Sequence, residues 1–134
     1  MTHTVETLTA FTERVKMAFL AKKIAAPVHL NSTTQAAPLI EIFKNIYPCD
    51  WKLGTWRSQF LALLSGWPEE EVFNEVLAGR SMYLMSKKHR VLCSSIVGGI
   101  LPIAAGIAMG MKRRGEEGKV VVFIQCNIHS TEIG

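Results

Sequence analysis

From Val91 to Met111 the chain runs for 21 residues without a charge, VLCSSIVGGILPIAAGIAMGM. Lys87-Lys88-His89-Arg90 precede this run and Lys112-Arg113-Arg114 follow it. As one helix it would be long enough to span a bilayer. It therefore constrains the fold more than any other segment, because it is either a membrane helix or the buried helix of a layered domain. Gly106-Ile-Ala-Met-Gly110 lets backbones approach closely in either setting. Pro102, the glycines at 98, 99, 106 and 110, and the Cys93-Ser94-Ser95 start weaken a continuous apolar helix. Positive charge at both ends selects no orientation across a membrane. The expectation is no membrane span, but a helix over residues 98–111 packed against other elements.

The remaining pattern is mostly helical. Leu8, Phe11, Val15, Phe19 and Leu20 share one face of a helix predicted over 5–23, ended by Ala25-Ala26-Pro27. Pro38 suits the first turn of a second helix over 37–46, with Leu39, Ile42, Phe43 and Ile46 as its apolar face. Residues 56–64 predict a third short helix or turn. Glu69-Glu70-Glu71 open a fourth, where carboxylates meet the positive end of the helix dipole, and Gly79 stops it. Residues 80–95 resist assignment. Lys119-Val-Val-Val-Phe-Ile124 is the one clear strand, without polar alternation, as for a strand buried on both faces. No second strand is evident. The expectation is an α/β layer fold, helix-rich, with its sheet incomplete in this chain.

A net charge of +4, with the basic residues scattered, gives no reason to expect nucleic-acid binding. Cys49, Cys93 and Cys126 are odd in number and widely spaced, which predicts reduced thiols and a cytoplasmic setting. The N-terminus carries acids early and has no apolar stretch of the secretory kind.

Four stretches, in order and approximate spacing, carry a resemblance. They are Pro27-Val-His-Leu30, Asp50-Trp-Lys-Leu-Gly-Thr-Trp-Arg-Ser58, Leu77-Ala-Gly-Arg-Ser-Met82, and Ser95-Ile-Val-Gly-Gly-Ile-Leu-Pro-Ile-Ala-Ala-Gly-Ile-Ala108. The last is followed by a basic turn and the VVVF strand. Over about residues 10–124 the chain resembles the alpha subunit of thiamine-diphosphate-dependent 2-oxoacid dehydrogenases, the first components for pyruvate, branched-chain 2-oxo acids and acetoin.

The resemblance implies the N-terminal part of a thiamine-diphosphate-binding fold, with residues 1–134 a partial domain truncated at its C-terminus. It implies decarboxylation of a 2-oxo acid on thiamine diphosphate, bound with magnesium between alpha and beta subunits of a heterotetramer, and passage of the acyl group to a lipoyl acyltransferase. It also assigns residues. His29 matches the histidine near the diphosphate and reacting centre, a catalytic position where imidazole donates to phosphate or relays a proton; by residue type alone it is a loop histidine capping backbone. Trp56 and Arg57 match an aromatic–arginine pair that binds cofactor, the guanidinium forking onto phosphate oxygens; otherwise they are a core tryptophan beside an exposed arginine. Ser95 and Val97 match the segment whose backbone faces the aminopyrimidine, where small residues let the main chain approach.

The chain departs from the family's pattern in places. Gln35 stands where a glutamate is expected and Gln59 where a histidine follows the Arg57-Ser58 pair, and glutamine cannot act as a general base at neutral pH. The magnesium-binding Gly-Asp motif after the strand is replaced by Gln125-Cys126-Asn127-Ile-His129, with Glu132 further on, so no metal ligand is assigned. These departures leave an alternative: a non-catalytic remnant that binds a partner or dimerises.

Overall fold

The computed structural model describes residues 3–124. Helix α1, Val5–Leu20, starts at a capping box in which Thr4 and Thr7 each accept the other's backbone N–H. Leu8, Phe11, Val15 and Ala18 are its buried stripe. Phe19 and Leu20, expected on that face, are exposed instead. The helix ends earlier than expected because Lys22 turns left-handed at φ 58° and Lys23 N–H bonds back to Ala18 C=O, a closure normally made with glycine.

A 3-10 turn, Thr33–Gln35, leads into α2, Ala36–Phe43. This helix is shorter than the predicted 37–46, and its Ile42 faces outward while Ala36 is buried. Strand β1, Trp51–Gly54, is followed by α3, Gln59–Leu64, and α4, Glu69–Leu77, which ends at Gly79 as expected. Strand β2, Met85–Ser86, pairs antiparallel with β3, Val91–Cys93. Helix α5, Ile100–Arg114, and β4, Val120–Val122, complete the described residues.

The expectation of a lone strand is corrected: four strands form one sheet in the order β2-β3-β1-β4, with β3 and β4 both parallel to β1. Strands of two to four residues are too short to show a period. The uncharged run accordingly divides. Its first three residues are β3, a turn follows, and α5 takes the rest and continues through the basic triplet to Gly115, three residues past the predicted end. Pro102 is in the first turn, where no helical hydrogen bond is lost. Among the described residues no helix is long and apolar enough to cross a membrane.

Helices α1–α4 cover one face of the sheet, packing on Val91 and Cys93. Helix α5 covers the other, with Ile100, Ala104 and Ile107 against Leu53, Leu92, Val120 and Val122. Strand β4 was expected to be buried on both faces, but its three valines are half-buried, because it is the edge of the described sheet and has a neighbour on one side only. The chain leaves β1 for β3 on one side and returns to β4 on the other. The carboxyl ends of β1 and β4 therefore flank a topological switch point, where open α/β sheets bind ligands.

Candidate functional site

A cavity of about 280 Å³ opens at that switch point. Thr55, Arg57 and Ser58 come to it from the loop after β1, Phe123 and Ile124 from the end of β4, and Leu61 from α3. The far wall is Asn31, Thr34, Gln35, Pro38 and Leu39. Apolar and polar side chains both line it, and Arg57 is the only charged residue among them. A single guanidinium with no carboxylate nearby favours an anion.

The rim is shaped by close approach at Gly54. A Cβ there would lie 2.5 Å from Ser58 Oγ and 2.9 Å from a Leu61 methyl. Glycine thus lets the loop fold back over the end of the central strand, where Ser58 Oγ–H donates to Thr55 C=O. Under this loop Cys93 is fully enclosed. Burial pushes its thiol up to about 11, against weaker opposing contributions from Ser58 and the Gly54 backbone, so it is no nucleophile at neutral pH.

His29 is exposed, its ring 6.0 Å from that of Trp56 at a tilt of 48°, and neither of the two lines the cavity. The Trp56 indole Nε1–H is buried and finds no hydrogen-bond partner among the described residues. Arg57 lines the cavity. The structure thus brings His29, Trp56 and Arg57 to one edge of the sheet. Ser95, exposed, and Val97, half-buried, follow β3 at the same edge, but neither lines the cavity. Their turn is anchored by Ser94 N–H on Gly54 C=O at 3.1 Å and shaped by Ile96 N–H on Ser94 Oγ at 3.1 Å.

Asn31 is the residue that sequence reasoning missed. It is buried, donates from Nδ2 to Arg57 C=O at 3.0 Å and to Gln35 Oε1 at 3.1 Å, and accepts Phe60 N–H at 3.2 Å. The signal was Ser32-Thr-Thr-Gln35, the spacing of a capping box, which fixes the residue before it. Gln35 Oε1 also accepts Ser32 N–H, and Gln59 Nε2–H donates to His29 C=O at 2.9 Å. The two glutamines at the departing positions are therefore built into the loop that carries His29. Gln59 Oε1 is buried without a partner among the described residues.

The cavity suits the anionic end of thiamine diphosphate: Arg57 supplies charge, Thr34 and Thr55 supply hydroxyls, and no acid lines it. A divalent ion finds no group of three potential ligands among the described residues. Cys126, Asn127, His129 and Glu132, weighed above for that role, lie outside the described residues.

The family model described as "Dehydrogenase E1 component" matches residues 3–125. No curated protein matches the chain. The match spans all the described elements and includes every residue of the candidate site. The chain belongs to the dehydrogenase E1 component family, the thiamine-diphosphate-dependent first components of 2-oxoacid dehydrogenases, and is alpha-subunit-like.

Proposed function

We propose that this chain supplies the alpha-subunit side of a thiamine diphosphate site used to decarboxylate a 2-oxo acid and pass the acyl group to a lipoyl carrier. The cofactor, when bound, stabilises the negative charge left by decarboxylation. The chain's own residues bind and orient. Arg57 holds the diphosphate end, its loop fixed by Asn31, and Trp56 offers a buried N–H. His29 donates to phosphate or carries a proton at its ring nitrogen. Ser95 and Val97 present backbone to the pyrimidine side. A beta subunit completes the site around this open cavity, and the assembly works in the cytoplasm.

The observation that carries this reading is Arg57 as sole charge in a cavity at the sheet's switch point. Calorimetry with thiamine diphosphate and magnesium tests it. Saturable binding that Arg57→Ala weakens at least tenfold is expected. No heat at millimolar cofactor, with the chain folded and a beta subunit present, would sink it.

A second reading, a non-catalytic partner-binding or dimerising module, is favoured by the outer face of α5, where Leu101, Ile103 and Met109 are 48%, 42% and 58% exposed. Sedimentation of the chain with and without a beta subunit separates the two, because complex formation without cofactor binding would leave only the second.

A further inference from the structure

We propose that Asn31, with Gln35 and Gln59, forms a charge-neutral positioning network that sets the distance between the His29 loop and the Arg57 loop. The proposal rests on the reading of those loops as the site. Its geometry is on three bonds of one buried amide. Asn31 Nδ2 donates twice, to Arg57 C=O and Gln35 Oε1, while Oδ1 accepts an N–H from the first turn of α3, that of Phe60. Gln59 adds the return tie to His29 C=O from the same helix. Each loop is thereby held through the backbone of the residue that would touch ligand, and no member of the network carries charge.

The donor pair on Asn31 is the discriminating feature. Asparagine presents two N–H groups and one oxygen, as its three partners demand. Aspartate has the same shape, but when ionised it puts an acceptor against two acceptors. When protonated it regains one donor. Asn31→Asp should therefore convert a pH-independent support into one that titrates; because Asn31 lines the cavity, its carboxylate would also repel an anion directly, so the readout without probe is the one that isolates the network.

The test uses the full chain and inorganic pyrophosphate as probe. Affinity of wild type and Asn31→Asp is measured by calorimetry from pH 5 to pH 8, with the melting temperature checking that both are folded. The ratio of the two at each pH cancels the probe's own protonation. The variant is expected to bind about tenfold more weakly at pH 8 and to recover toward wild type at pH 5. A folded variant with the same ratio at every pH overturns the proposal. The Arg57 carbonyl carbon shift, followed by NMR without probe, is the second readout. It should titrate in the variant and stay flat in wild type, and a flat response in both also overturns the network. Wild type that ignores pyrophosphate would count against the site reading, while the carbonyl shift would still decide for or against the network.

Discussion

Lys119 Nζ meets the buried carboxylate of Asp50 at 3.0 Å, joining the residue before β1 to the residue before β4. The same carboxylate accepts Lys119 N–H and Tyr47 N–H, each at 2.8 Å. Burial pushes the Asp50 carboxyl up, but the two backbone N–H bonds and the Lys119 ammonium outweigh it and hold the group below its ordinary value. A lowered folded value means stability present above the unfolded value of 3.8 and lost as pH falls through the folded one. Asp50→Ala should cost about 2–3 kcal/mol at neutral pH. The difference from wild type should shrink in acid, as measured by urea denaturation across pH 2–7.

Lys52 is 1% exposed on the central strand and gives its ammonium to two backbone carbonyls, Asp50 and His89, each at 2.9 Å. Burial is the main cause that lowers its value from 10.5, the Arg90 charge adds to it, and Asp50 and Cys49 oppose it. In the window between the lowered folded value and 10.5 the unfolded chain binds more protons than the folded one. Stability therefore rises with pH there. Lys52→Met should remove that rise, and denaturation midpoints measured from neutral pH to pH 10 in both chains would show it. Parallel curves would contradict a buried amine at this position.

The two thiols in the described residues should differ in reactivity. Cys49 is exposed and Cys93 is enclosed, with its thiol at about 11. Iodoacetamide at neutral pH is expected to alkylate Cys49 in the native chain and Cys93 only after denaturation. Peptide mass spectrometry before and after urea reads both. Rapid native labelling of Cys93 would mean that the Ser58 loop opens readily.

Gly118 has φ 109°, and a Cβ there would stand 2.5 Å from Cys49 C=O. The turn into β4 must pass this close for Lys119 to reach Asp50. Gly118→Ala should destabilise by about 2 kcal/mol or more, through backbone strain and collision together. Thermal unfolding would register a drop of several degrees.

How far these features were readable varies with the kind of signal. Helix α4 is legible because Trp67-Pro68 and Gly79 punctuate it and three glutamates mark its start. Helix α5 is legible as a helix but not in extent, because its last turn is Lys112-Arg113-Arg114, which ends an apolar run without ending the backbone pattern. Strands β1 and β3 are invisible as strands, because three or four residues carry no period and Lys52 sits where a buried strand should be apolar. His29, Trp56 and Arg57 are singled out by a motif, and that they lie at one edge follows from chain topology, which motif spacing does not contain. Asn31 escaped because a buried amide in a loop looks like any turn residue until its three partners are placed.

The missing side chain at Gly54 has an effect beyond local fit. Helix α3 and the arginine loop lie against bare backbone there, so the shape of the cavity mouth depends on an atom the chain does not possess. In a saturation-mutagenesis screen scored by ligand binding, position 54 should be as intolerant as position 57, although it offers no group to any ligand. Most replacements should fail in the same way: the strand stays paired, and the lip over it is pushed out of register.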